Sequence, residues 1–174
     1  MNLIASVYGY WLHDFLEGVY NSSGLIQTQN VGKIHVAGFE IEMNGRPTRW
    51  LEVTASYAIQ RSIDDIDKNV LENSPDHLAK LRFAIPLGRK FDASSGMQYS
   101  SSQLTLAGAK VSPVYLADFT LTSKRLFPNL DIQFGLRNSF NRNYSDPIAL
   151  DARVDSMRQF GRSFFIELTA HGAQ

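Results

Sequence analysis

The clearest pattern in the chain is a strict alternation of apolar and polar residues between Leu130 and Arg137. Leu130, Ile132, Phe134 and Leu136 occupy one set of alternate positions, and polar residues or glycine occupy the other. Successive side chains of a β-strand point to opposite faces, whereas a helix would mix the two sets. The segment is therefore predicted to be a strand with one apolar and one polar face.

Seven further segments carry a β pattern, and none between them reads as an amphipathic helix. The chain is thus predicted to be all-β, an antiparallel up-and-down meander of about eight strands, each of about 9 to 12 residues. The other seven predicted strands cover residues 2–12, 32–44, 50–60, 77–87, 93–106, 114–123 and 162–170.

One predicted strand changes phase within its length. Ile34 and Val36 fall on the opposite set of alternate positions from Phe39 and Ile41. An extra residue in one strand of a pair shifts the alternation by one position. The sequence therefore predicts a β-bulge near Ala37–Gly38.

The predicted connections alternate between long and short, so a meander would place all the long loops at one end of the sheet. Membrane β-barrels have this arrangement, and strands of about 9 to 11 residues suffice to cross the hydrocarbon at a tilt. Soluble meander barrels and sandwiches also alternate, so this pattern alone leaves both classes open. Aromatic residues near strand ends would suit the two interfacial girdles of a membrane barrel, namely Trp11, Trp50, Tyr57, Tyr115, Phe140 and Phe164.

Composition narrows the function classes only in part. The 17 basic and 17 acidic side chains cancel, which argues against nucleic acid as a partner. The absence of cysteine excludes disulfides and thiolate metal sites. The mean hydropathy of −0.19 resembles that of a soluble protein, but a membrane barrel averages lipid-facing and lumen-facing residues to a similar value.

The start of the chain lacks the features of a secretory signal. Such a signal needs a positively charged residue before its apolar core, and the first Lys or Arg is Lys33. If the protein belongs to the cell envelope, we expect the chain to be a fragment of a longer product.

A calcium site is considered in the second predicted loop. Asp65, Asp67 and Asn69 stand at alternate positions, as calcium ligands do in an EF-hand loop. That loop would require glycine at Val70 and glutamate at Asp76. The preferred interpretation is a solvated acidic loop, and no metal or cofactor is predicted.

A hydrolase is considered from two short clusters, His13–Asp14 and His77 with Ser74 and Asp76. Catalysis needs a nucleophile and a base within hydrogen-bond reach, but adjacent residues of a strand point to opposite faces. The sequence also lacks the Gly-x-Ser-x-Gly motif. We therefore predict that the protein is not an enzyme.

The fourth predicted loop, residues 141–161, offers three arginines as ligand-facing candidates. Arg142, Arg153 and Arg158 could bind an anionic chelate through charge-assisted hydrogen bonds. No glycine-rich loop follows a strand and opens a helix, so a nucleotide site has no support.

The end of the chain resembles the C-terminal end of TonB-dependent outer-membrane receptors. In that family the penultimate strand carries Asn, a hydrophobic residue, Phe and a nearby Tyr, and the last strand opens with Gly-Arg. The residues that carry the resemblance are Asn138, Phe140, Tyr144, Gly161 and Arg162. Other segments fit the family in order, namely Asn30–Lys33 with Gly38–Glu42, Ala55–Ala58, Asn73–His77 and Tyr115–Phe119.

This resemblance implies that residues 1–174 form the last eight or so strands of a barrel of about 22 strands. The plug, the TonB-contacting segment and the signal peptide of such a receptor would lie outside the chain. The parent protein would import a scarce, bulky nutrient across the bacterial outer membrane, such as a metal chelate, a vitamin or a glycan. Its partners would be membrane lipid, the plug, TonB and this small-molecule ligand.

Two alternatives stay open at this point. One is a self-contained eight-stranded outer-membrane barrel, since eight strands can close around a side-chain-filled interior. The other is a soluble lipocalin-like binding barrel, which would have to turn Leu130, Ile132, Phe134 and Leu136 inward. A fragment would leave its first and last strands without a neighbour, whereas either complete barrel would pair them.

Overall fold

The computed structural model of the protein describes residues 1–66, 68–127, 129–148 and 154–171. In this part of the chain the secondary structure consists of strands, and no helix there is long and apolar enough to cross a membrane. The strands are β1 (Asn2–Tyr20), β2 (Ile26–Thr48), β3 (Leu51–Asp64), β4 (His77–Leu87), β5 (Phe91–Ser100), β6 (Gln103–Leu104), β7 (Lys110–Val111), β8 (Val114–Phe127), β9 (Leu130–Arg137), β10 (Ser145–Pro147), β11 (Ser156–Arg158) and β12 (Ser163–Ala170).

Eight of these strands form one antiparallel sheet in the order β1-β2-β3-β4-β5-β8-β9-β12. The short pairs β6-β7 and β10-β11 are hairpins within two of the connections. Each main strand pairs with the next main strand along the chain, so the predicted all-β meander is confirmed. β1 and β12 lie at the two edges, and in the described part of the chain the sheet does not close on itself.

The register separates apolar from polar side chains onto two faces. Phe134 lies opposite Leu121 on β8 and Ile166 on β12, whereas its neighbour Gln133 lies opposite Thr122 and Glu167. We call the face of Phe134 the apolar face and the face of Gln133 the polar face. Because paired residues of an antiparallel sheet share a face, the assignment extends across all eight strands.

The apolar face is not covered by another layer of the protein. Only four hydrophobic side chains are buried among the described residues, namely Ile34, Val36, Val53 and Ala117. Large apolar side chains such as Phe134 (44% exposed) lie open instead. A sheet that leaves this much apolar surface uncovered needs an apolar surrounding. The six aromatic residues predicted for girdles are all exposed, namely Trp11, Trp50, Tyr57, Tyr115, Phe140 and Phe164.

The long loop predicted between the first two strands, residues 13–31, is wrong, although a strand extension expected within residues 25–30 is confirmed from Ile26 onward. β1 continues to Tyr20 and β2 begins at Ile26, so only residues 21–25 connect them. The side chain of Asn21 accepts hydrogen bonds from the N–H groups of Ser23 (2.9 Å) and Leu25 (3.0 Å), which fixes a tight turn. Backbone pairing alone extends both strands here, because it does not require an apolar–polar alternation.

The predicted bulge at Ala37–Gly38 is also wrong. β2 pairs without interruption with β1 and β3 from Ile34 through Gly38 and beyond, and the irregularities lie between Leu12 and Leu16. Ile34 (5% exposed) and Val36 (4%) lie buried on the polar face. Ser62, which pairs with Val36, is buried on the same face (4% exposed), and its hydroxyl accepts that of Ser74 at 2.9 Å, so the connection between β3 and β4 contacts the polar face at this end.

The remaining strands differ from the sequence prediction mainly at their ends. β4 matches its predicted bounds, residues 77–87. β3 and β8 run about four residues longer at the ends 64 and 127. The predicted strand 93–106 is wrong at both ends, because β5 runs from Phe91 to Ser100, and the β6-β7 hairpin occupies its last residues and the predicted loop 107–113.

Gly135 is expected to be essential for local packing on the polar face. A Cβ at this position would lie 1.9 Å from Cε1 of Phe165, whose ring covers the glycine from β12. The Arg137 guanidinium lies 4.8 Å from the centre of the same ring, a cation–π contact. We expect Gly135→Ala to lower the free energy of unfolding by about 1 kcal/mol, because the ring must leave this contact.

A double-mutant cycle with Phe165→Ala checks this prediction by urea unfolding. In the Phe165→Ala background, Gly135→Ala should cost nothing, because the obstructing ring is gone. An equal cost in both backgrounds would show that Gly135 is required for another reason.

Candidate functional site

The turn after β9 is organised by the side chain of Asn138. Its Nδ2 donates to the carbonyls of Arg142 (2.9 Å) and Phe160 (3.3 Å), and its Oδ1 accepts from the Arg142 N–H (2.8 Å). The Asn138 N–H donates to Oδ1 of Asp118 on β8 at 2.8 Å. The backbone has a φ of 46°, which asparagine tolerates better than most residues. One buried residue thus joins β8, the turn and the segment that leads to β12.

A second asparagine closes the same turn against the start of β12. Oδ1 of Asn141 accepts the N–H of Arg162 at 2.9 Å. A Cβ at Gly161 would lie 2.7 Å from this oxygen, so the close approach requires glycine. The segment around Gly161-Arg162 is thereby held beside the turn after β9.

Two long connections are joined to each other by Asp155. Its carboxylate accepts the hydroxyl of Thr105 and, at 3.4 Å, the N–H of Ala107. Thr105 is 1% exposed and belongs to the connection between β5 and β8. The hairpins β6-β7 and β10-β11 are therefore fixed side by side at the long-loop end of the sheet.

A cavity of about 740 Å³ lies between these two connections. Two cationic side chains, Lys110 and Arg142, and the phenol of Tyr144 are in its wall. We call it the loop cavity; it is lined by Lys110, Val111, Ser112, Pro113, Phe140, Asn141, Arg142, Asn143, Tyr144, Ser145 and Ser156. A second cavity of about 260 Å³ shares Ser112 and Tyr144 with it and continues to Lys80 on the polar face.

Tyr144 occupies the boundary between the two cavities. Burial raises the pKa of its phenol, and the nearby carboxylates of Asp146 and Asp118 raise this pKa further. The phenol consequently stays protonated at neutral pH and can donate a hydrogen bond. The cavity therefore combines two cations with a neutral hydroxyl donor.

The structure brings together only some of the residues predicted to face a ligand. Arg142 lines the loop cavity. Arg158, on β11, donates from Nη2 to Oδ1 of Asn143 at 2.8 Å, so it supports the cavity wall. Arg153 lies outside the described residues. The role of all three in ligand binding stays a prediction.

Lys110 and the pair Thr105–Asp155 were not identified from the sequence. Thr105 and Asp155 are 50 residues apart, and nothing in the local pattern of either segment indicates that they meet. Lys110 is a single cation in a short loop, where a solvated side chain is the usual outcome.

The candidate metal and catalytic residues have other partners. Asp65 pairs with Lys68 at 3.3 Å, Asp67 lies outside the described residues, and the described part of the chain has no group of three or more metal-ligating side chains. Ser74 donates its hydroxyl to Ser62 at 2.9 Å, whereas Nδ1 of His77 lies 2.8 Å from the Tyr57 hydroxyl.

Comparison with known proteins supplies a family for this architecture. The family described as a TonB dependent receptor-like β-barrel matches residues 2–139. No curated protein matches the chain.

Solved structures with the same fold are much longer than the chain. The ferric-catecholate import receptor Fiu of E. coli K12 is 22% identical, with a TM-score of 0.76. The match covers 98% of this chain and 25% of the receptor. The copper transporter OprC is 18% identical, with a TM-score of 0.77. The match covers 97% of this chain and 28% of the transporter. The ferripyoverdine receptor of the Pseudomonas aeruginosa outer membrane is 13% identical, with a TM-score of 0.74. The match covers 97% of this chain and 24% of the receptor. The chain thus spans about a quarter of these structures.

Proposed function

This chain belongs to the TonB-dependent receptor-like β-barrel family, and we propose that it supplies part of the barrel wall and of the ligand-capturing loops of an outer-membrane receptor. The parent receptor would carry a plug and a TonB-contacting segment outside residues 1–174. It would import a bulky nutrient with energy relayed through TonB. The observation that carries the proposal is the loop cavity, placed at the end of a sheet whose apolar face is uncovered.

In the proposed barrel wall, the two faces of the sheet contact different surroundings. The apolar face contacts the hydrocarbon of the outer membrane, which supplies the apolar medium that the exposed side chains need. The polar face lines the lumen, beside the plug. The long connections and the β1-β2 turn then project from one side of the membrane, and the other three short turns project from the other side.

The chemistry of the loop cavity favours an anionic metal chelate over a neutral vitamin or glycan. Its volume of about 740 Å³ lies within the range of small-molecule sites. Lys110 and Arg142 would bind carboxylate or phenolate oxygens of the chelate, and the neutral phenol of Tyr144 would donate to another oxygen. The similar structures named for ferric catecholate, ferripyoverdine and copper are consistent with such cargo.

Arg142→Ala is expected to weaken the binding of an anionic ferric tris-catecholate complex by about tenfold or more, because a charge-assisted hydrogen bond is lost. Asn138 binds the backbone of Arg142, so the side chain can be removed without opening the turn. Affinity is measured by calorimetry on the purified chain refolded in detergent.

Two controls make the result specific to charge recognition. Arg142→Lys retains the charge but not the planar fork, and should recover part of the affinity. Binding of a neutral oligosaccharide should be equally weak in all variants. If the oligosaccharide binds tightly and the ferric complex does not, the chelate class is wrong.

A further inference from the structure

Three short turns lie at the same end of the main sheet, and their residues 49–50, 88–90 and 129 contain three basic residues and no acidic residue. The adjoining strand ends contain three more basic residues, Arg46, Lys124 and Arg125, and three acidic residues, Glu52, Asp92 and Asp131. At the other end, residues 65–76 and 138–162 contain both acidic and basic residues, whereas residues 101–113 contain one lysine and residues 21–25 contain no charged residue. We call the cations of these turns and adjoining strand ends the basic rim; they are Arg46, Arg49, Arg89, Lys90, Lys124 and Arg125.

The structure brings these turns together at one end of the sheet. The N–H of Lys124 donates to the carbonyl of Lys90 at 2.6 Å, which joins the second turn to the third. A cavity of about 270 Å³ has Arg46, Arg49 and Lys124 in its wall, so the first turn belongs to the same surface. Successive turns are two strands apart, or about 10 Å.

Local carboxylates neutralise only part of the basic rim. Glu52 accepts two hydrogen bonds from Arg46, at 3.1 and 2.8 Å, and Asp92 pairs with Lys124. In the described part of the chain, three cations of the rim are exposed and have no ion pair, namely Arg49, Arg89 and Lys90. The surface therefore keeps a net positive charge.

The basic rim adjoins the end of the apolar face. Leu87 (50% exposed) ends β4 on this face immediately before the second turn, and Trp50 (56%) belongs to the first turn. Tryptophan is enriched where hydrocarbon meets headgroups. A row of arginine and lysine at that level faces the phosphates of lipid, to which their N–H groups can donate.

We propose that the basic rim binds the headgroups of anionic phospholipids in the leaflet next to the short turns. This inference rests on the proposed function, because it requires the apolar face to lie in a bilayer. A row of cations along three turns fits several neighbouring headgroups, whereas a single acidic peptide would need one continuous groove. The bound lipids would fix the depth of the wall in the membrane at this end.

The two tryptophans of the chain allow a direct test, because Trp50 lies in the first short turn and Trp11 lies on β1 away from the rim. The full chain is refolded into phosphatidylcholine vesicles that contain brominated phosphatidylglycerol or brominated phosphatidylcholine, whose bromines quench nearby tryptophan. In Trp11→Phe, the remaining Trp50 should be quenched more strongly by the phosphatidylglycerol. In Trp50→Phe, the remaining Trp11 should not distinguish the two lipids.

Charge removal gives the second arm of the test. In the Trp11→Phe background, Arg49→Gln/Arg89→Gln/Lys90→Gln should lower the relative association constant for phosphatidylglycerol by at least about fivefold, the loss expected from one cation near an anionic surface. A matched variant removes three cations from the other end of the sheet: Lys33→Gln/Arg61→Gln/Lys68→Gln. It should keep the lipid preference.

The possible outcomes separate the inference from the proposed function. Protease protection in neutral vesicles reports insertion alone; if the chain is not protected, the proposed function fails. If the chain is protected but Trp50 shows no lipid preference, or both triple variants lose it equally, the inference is wrong and the proposed function stands. If poly-glutamate removed the lipid preference of Trp50 at a carboxylate concentration at which monomeric glutamate did not, an acidic peptide and not a phospholipid would be the partner.

Discussion

Phe134→Arg is expected to abolish stable insertion of the chain into detergent micelles or lipid vesicles. Phe134 lies in the middle of β9 on the apolar face, beside Leu121 and Ile166, and its ring is 6.2 Å from that of Phe164. An arginine on the lipid face of a membrane strand costs about 2 to 4 kcal/mol at mid-membrane depth. Protection from protease in vesicles, compared with the unchanged chain, measures the effect.

The neighbouring position supplies the matched control. Gln133 lies on the polar face, where Thr122 donates its hydroxyl to Oε1 of Gln133 at 3.3 Å. Gln133→Arg adds the same side chain one residue away, but into a polar surrounding, so insertion should be largely retained. Equal damage from both substitutions would mean that the two faces are assigned wrongly, and full insertion of Phe134→Arg would exclude a lipid-facing β9.

The faces of the sheet could be predicted from the sequence because side-chain alternation is a local property. Leu130, Ile132, Phe134 and Leu136 share a face in the structure, as their spacing requires. The same rule gave the bounds of β4. Where one face of a strand meets an apolar surrounding along its whole length, apolar residues recur at every second position of the sequence.

The rule failed where the surroundings of a strand change along its length. Ile34 and Val36 are buried on the polar face next to Ser62, which the β3–β4 connection contacts through Ser74, so their phase reflects local burial and not an extra residue. The arms of the β1-β2 hairpin beyond Leu16 were missed for a related reason. Their backbone pairing needs no alternation, and they read as a polar loop.

Only those residues of the candidate site that lie within one loop could be predicted from the sequence. The sequence predicts Arg142 to face a ligand because a cation in a loop can bind an anion, and Arg142 lines the loop cavity. Lys110 reaches the same cavity from a different connection, and the bond between Thr105 and Asp155 spans 50 residues. Such meetings depend on tertiary structure, so no pattern within either segment could indicate them.

Asn138→Ala is expected to lower the free energy of unfolding of the chain by about 4 kcal/mol. The side chain makes three hydrogen bonds, with the carbonyls of Arg142 and Phe160 and the N–H of Arg142. Each contributes about 1 kcal/mol, and alanine can make none of them. Alanine also tolerates the φ of 46° less well than asparagine does. Urea unfolding of the refolded chain measures the loss.

Asn138→Gly and Asn143→Ala separate the causes of this loss. Glycine adopts a positive φ without strain, so Asn138→Gly should lose the hydrogen bonds but be about 1 kcal/mol more stable than Asn138→Ala. Asn143 is exposed in the same turn and accepts one bond, from Arg158, so its replacement should cost less than about 0.5 kcal/mol. If Asn138→Ala were as mild as Asn143→Ala, the turn after β9 would be held by Ser139 and Asn141, whose bonds to Ala117 and Arg162 do not involve Asn138.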